Sequence, residues 1–142
     1  MNDPLNYTDI EFSSYAGPDD FWVLSINLCS GMVEVVTLVR KMTIILDDEE
    51  RRFVENRLSE CQIENWDDKY ERPFYDGFRW SLSICNDDTE IKNISGANEY
   101  PPGNQWQPFI NLILRLYDRT IKDGKTEVFP SINTPCGTDK VK

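Results

Sequence analysis

Residues 22–31, WVLSINLCSG, put Trp22, Leu24, Ile26 and Leu28 at every second position, set Ser25 and Asn27 between them, and end on the turn pair Ser30-Gly31. Successive side chains of a strand point to opposite faces, so a period of two predicts a half-buried β-strand. Residues 78–85, FRWSLSIC, repeat the pattern, with Phe78, Trp80, Leu82 and Ile84 alternating with Arg79, Ser81, Ser83 and Cys85. Two strands of this kind predict one antiparallel sheet with an apolar face and a polar face.

Working outward, residues 9–46 read as antiparallel strands throughout. Ile10 and Phe12 alternate with polar neighbours, and the turn chemistry Gly17-Pro18-Asp19-Asp20 follows. Residues 33–46 are β-branched and long, and the pair Arg40-Lys41 marks either two short strands or one strand with an exposed bend. At Leu46 the period changes towards 3.6. Asp47 followed three residues later by Glu50 is a capping-box pattern, and it predicts a helix of about 14 residues with Phe53, Val54, Leu58 and Cys61 on its apolar face.

Asn86-Asp87-Asp88 predicts a hairpin turn into a strand over residues 89–94, and Pro101-Pro102 stiffens the loop that follows. A second helix is expected from residues 105–108, with Pro108 in its first turn. Its apolar residues, Phe109, Ile110, Leu112, Ile113, Leu114, Leu116 and Tyr117, cover more than half its circumference, so it should pack more deeply than the first helix. The expected fold class is α+β: a twisted antiparallel sheet of about five strands packed against two main helices. One domain over residues 1–125 should be followed by a mobile C-terminal tail over residues 126–142.

The chain has 25 acidic and 15 basic residues, a formal net charge of −10. Such a field repels nucleic acid and anionic membrane surfaces and attracts basic proteins and cations. It also serves solubility alone. The start MNDPLNYTDIEF lacks the charged head and apolar run of a secretory signal. A cytoplasmic location with free thiols is therefore expected for Cys29, Cys61, Cys85 and Cys136, which form no CxxC pair, and Cys29 and Cys85 read as core or near-core residues. No apolar run reaches the roughly 18 residues of a membrane span.

There is no histidine in the sequence. That removes Ser-His-Asp and Cys-His catalysis and histidine-ligated metals. No P-loop, dinucleotide fingerprint or nucleophile elbow is present either. No catalytic residue, cofactor or metal site is assigned, and the chain reads as a non-enzyme. A small carboxylate-dependent enzyme or ligand-binding domain is the alternative, with Asp67 and Asp68 or Asp87 and Asp88 as its acids. Against it, neighbouring strand residues face opposite ways, and neither pair sits in a calcium-loop pattern. An accessory domain is the third reading.

The segment around Trp66, Tyr70, Phe74 and Tyr75 interleaves rings with charges. It is either a protein-contact surface or a set of rings that closes the sheet against the first helix. On the first reading, Glu64, Asp67, Asp68 and Glu71 attract a basic partner while Trp66 and Tyr70 anchor it.

The run Asp76-Gly77-Phe78-Arg79-Trp80-Ser81-Leu82-Ser83-Ile84, the loop Gly96-Ala97-Asn98-Glu99-Tyr100-Pro101, and then Trp106 and Phe109 resemble a pattern of small acidic bacterial proteins. Some of these look like the immunity proteins that neutralise toxins of interbacterial competition. The resemblance covers about a quarter of the chain. It implies an immunity-like protein that binds a cognate toxin or another basic protein, and it carries over no catalytic residue.

Overall fold

The computed structural model describes residues 5–17, 20–71, 78–87 and 89–129, with Glu71 described by its backbone alone. The strands are β1 (Asp9–Gly17), β2 (Asp20–Asn27), β3 (Met32–Val36), β4 (Arg40–Ile45), β5 (Lys69–Glu71), β6 (Arg79–Asn86), β7 (Thr89–Ala97) and β8 (Lys125–Val128). The helices are α1 (Asp48–Cys61) and α2 (Gly103–Asp123), and a single 3₁₀ turn covers Ile63–Asn65. One mixed sheet of eight strands runs β5-β7-β6-β1-β2-β3-β4-β8. Every neighbouring pair is antiparallel except β5 with β7. The class is α+β.

The β1–β4 meander is held by two local devices. At its second turn Asn27 Oδ1 accepts from the N–H groups of Cys29 and Ser30, and Gly31 takes φ +80°, where a Cβ would sit 2.7 Å from the Leu46 carbonyl oxygen. Only glycine fits there. At the third turn Thr37 Oγ1 accepts from Val39 and Arg40 N–H, which divides residues 33–46 into the two short strands β3 and β4.

α1 begins as its sequence predicts: Asp47 Oδ1 accepts from Glu50 N–H at 2.8 Å, and Glu50 returns its carboxylate to Asp47 N–H at 3.0 Å. Val54, Leu58 and Cys61 are buried. Phe53 is not. It is 37% exposed, and the guanidinium groups of Arg57 and Arg115 each lie over its ring about 5 Å from the centre.

α2 packs more deeply, burying Trp106, Phe109, Leu112, Ile113, Leu116 and Thr120. It carries the chain from β7, near one edge of the sheet, to β8 at the other. Its 21 residues make a rod of about 31 Å, close to the roughly 29 Å of six inter-strand steps. The helix is long enough to bridge the sheet in one span.

The shared core forms as the alternation predicts. Trp22, Leu24, Ile26 and Leu28 from β2 and its end, and Trp80, Leu82 and Ile84 from β6, are buried with the apolar face of α2, and Phe78 is partly buried against them. Phe12 of β1 is the hub, with Trp22, Trp80, Trp106 and Phe109 all within 6.3 Å of it between ring centres. Gly96 lies across from Trp80, and a Cβ there would fall 2.1 Å from the indole nitrogen. The absence of a side chain at 96 is what lets that indole lie flat on β7.

Four expectations are corrected. The sheet has eight strands, not about five, because residues 33–46 supply parts of two strands and β5 and β8 are edge strands of three and four residues that show no period. α2 starts at Gly103, so Pro108 stands in its second turn and not its first, and the helix runs to Asp123, with Thr120 buried and donating its hydroxyl to the Leu116 carbonyl. Thr126, Glu127 and Val128 are not tail, since they pair with β4; residues 130–142 lie outside the described residues. Cys29 is exposed in a turn, and Cys85 is half-buried on the polar side of β6.

Candidate functional site

Both helices cover one face of the sheet. Among the described residues no helix covers the other face, and strand register decides what shares it. Pairing places Asn93, Ser83, Glu11, Ser25, Glu34 and Thr43 in one row across β7, β6, β1, β2, β3 and β4. The next row begins Ser95, Ser81, Ser13, Val23 and Val36. On the other side of the first row stand Cys85, Asp9 and Asn27.

A shallow depression of about 670 Å³ lies over this face, lined in part by Asp9, Glu11, Ser25, Asn27, Glu34 and Asp87. Among the described residues no lysine or arginine lines it. Asp9 is held by Asn27 Nδ2 at 2.9 Å and Thr8 Oγ1 at 2.8 Å. Glu11 and Glu34 have no side-chain hydrogen bond or ion pair among the described residues. They stand two strand spacings apart, about 10 Å, too far to share a proton and close enough to add their fields.

The acidic surface continues to the β7 edge. Ser83 Oγ donates to Glu90 at 2.7 Å and Asn93 Nδ2 to the same oxygen at 3.1 Å. These hydrogen bonds, Ser83 first, hold the Glu90 carboxyl below the usual carboxylate range and keep it charged. Glu90 in turn lines an edge recess with Glu64, Asp68, Lys92 and Asn93.

The residues expected to bind a partner are only partly brought together. Glu64, Asp67 and Asp68 are exposed near this edge, and Asp68 pairs with Lys92 at 3.3 Å. Trp66 is 2% exposed, so it is no surface anchor. Its indole N–H donates to the Cys61 carbonyl at 2.9 Å, and its ring meets Phe109 edge-on at 5.3 Å. Gln62 is the cause: its left-handed backbone at the end of α1 reverses the chain and turns the following residues inward. Tyr70 is half-buried, stacked on Trp80 at 6.2 Å, and its hydroxyl accepts from Asp67 N–H at 2.7 Å. Glu71 pairs through its backbone with Ala97, and its side chain, like Phe74 and Tyr75, lies outside the described residues. Asp87 ends the β6 side of the hairpin, and Asp88 is not among the described residues.

Among the described residues no three Cys, Asp or Glu side chains gather to hold a metal ion, and no helix is long and apolar enough to cross a membrane. Sequence reasoning missed Asp9, Glu11 and Glu34. The signal available was the polar alternation of Ser25, Asn27, Ser81 and Ser83, which marks an open face without saying which carboxylates stand beside one another. Neither a protein-family model nor a curated protein matches the chain.

Proposed function

We propose that this chain is a protein-binding module that docks a basic partner protein on the open face of its sheet, in the manner of an intracellular immunity protein neutralising a toxin. The observation that carries the reading is the row Ser83-Glu11-Ser25-Glu34 beneath a depression whose charged lining residues, among those described, are all carboxylates. Small hydroxyl side chains between the charges keep the surface flat and offer hydrogen bonds, while the carboxylates supply long-range attraction. Glu64, Asp67 and Asp68 extend the same sign of charge to the sheet edge and would steer the partner during approach.

The test is association with the product of the neighbouring gene, followed by stopped flow at two salt concentrations. Binding should slow as salt rises. Glu11→Lys with Glu34→Lys should weaken the complex at least tenfold, and Asp67→Lys with Asp68→Lys should mainly slow its formation. A complex lost on reversal at 67 and 68 but indifferent at 11 and 34 would move the contact to the edge. No complex at all would remove the immunity-like reading.

A further inference from the structure

β8 is the outermost of the described strands on its side of the sheet, and all four of its residues are exposed. Phe129 N–H donates to the Val39 carbonyl at 2.8 Å, which sets the phase of the ladder with β4. By the alternation of an antiparallel pair, Lys125 and Glu127 turn their backbone groups towards β4, and Thr126 and Val128 turn theirs to the free edge. Val128, at the end of β8, is 71% exposed.

We infer that this edge joins two copies of the chain, β8 against β8 antiparallel, with Thr126 on the two-fold axis. The short sequence Lys125-Thr126-Glu127-Val128 is complementary to itself in that register. Lys125 of each copy stands opposite Glu127 of the other, and the outward N–H and C=O of Thr126 meet those of its counterpart. Centring on Lys125 or on Glu127 would set like charges opposite each other, and a slip by one residue would turn bonded backbone groups away from their partners. The charged pairs fall on the open face, where Glu127 already lies 3.8 Å from Lys41, and Val128 falls on the helix side, where its exposed surface is covered by the second copy. A two-fold contact closes on itself, so the assembly stops at two chains. The pairing does not depend on what the open face binds.

Sedimentation of the full chain over micromolar concentrations should show a reversible dimer. Thr126→Pro removes only a donor that faces away from β4, so it should abolish the dimer while leaving the circular dichroism spectrum of the monomer intact. Lys125→Glu and Glu127→Lys should each weaken self-association about tenfold by setting like charges opposite each other. Mixed together, those two variants carry opposite charges at both positions and should form a heterodimer. A chain that stays monomeric at every concentration overturns the inference, as does a dimer indifferent to Thr126→Pro. A dimer that needs the free edge but ignores the charge changes overturns the self-paired register.

Discussion

The two faces of the sheet are built from the same strands and obey different rules. On β6, Trp80, Leu82 and Ile84 are buried against rings and aliphatic side chains, while Ser81, Ser83 and Cys85, one residue along, lie half-open on the other side. On β1, Phe12 contacts four rings, and its neighbours Glu11 and Ser13 face the open side. The covered face is specified by volume: its residues must fill the space beneath α2. The open face is specified by size and charge, since small hydroxyls and carboxylates can remain in water without a second layer. Folding is therefore decided on one side, and the other is free to carry recognition.

The largest effect that would break this comparison is at Trp80. Truncation to alanine removes an indole packed at 4.7 Å on Trp106 and hydrogen-bonded to the Glu99 carbonyl, and should cost about 3–5 kcal/mol. Ser81→Ala, one residue away on the open face, should change stability by less than about 0.5 kcal/mol. Urea denaturation of both variants measures the difference, and equal losses would mean that the two faces are not energetically distinct.

Gly96→Ala is a sharper probe of the covered face because it adds a single carbon. That carbon would overlap the Trp80 ring, so the indole must shift, at about 1–3 kcal/mol, with a change in tryptophan fluorescence. An unchanged spectrum and melting curve would show that the ring has room to move.

The smallest effect concerns a flaw in the covered face. The Tyr7 hydroxyl is buried without a hydrogen-bond partner among the described residues, so Tyr7→Phe should raise stability at neutral pH by about 1 kcal/mol. Burial, followed by the nearby Glu64 and Cys61, pushes the Tyr7 phenol well above its ordinary range, and burial, followed by Glu60, pushes the Cys61 thiol up to about 12. Both groups bind their protons more tightly when folded, so the stability they contribute is complete below their unfolded values and is lost as pH rises through the folded ones. Unfolding free energy should fall from about pH 9 upward, and less steeply in Tyr7→Phe. Parallel alkaline slopes in the two proteins would place the loss elsewhere.

The sequence made the covered face legible because that face repeats. Trp22 to Leu28 and Phe78 to Ile84 alternate over seven residues each, and Asp47 with Glu50 announces α1 locally. β5 and β8 were not legible, since three or four exposed residues carry no period and become strands only because β7 and β4 offer an edge. The acidic character of the candidate site could be read from composition, but its layout could not. Glu11 and Glu34 are 23 positions apart in number and share a row only through the pairing of β1, β2 and β3. Trp66 misleads for a related reason: its burial follows from the backbone reversal at Gln62, which no side-chain pattern announces.

The place of β1 in the middle of the sheet sets an order of events during synthesis. β1 can pair with β2 as soon as both leave the ribosome, but its other edge waits for β6, and the link between Thr8 and Asp87 spans 79 residues. At translation speeds of about 5–20 residues per second that wait is roughly 4–16 s. Through it, a strand containing Ile10 and Phe12 offers its unpaired backbone to any extended chain nearby. Glu11, set between those two apolar residues, places a charge on that strand, and such a charge disfavours foreign pairing while the nascent chain is still incomplete.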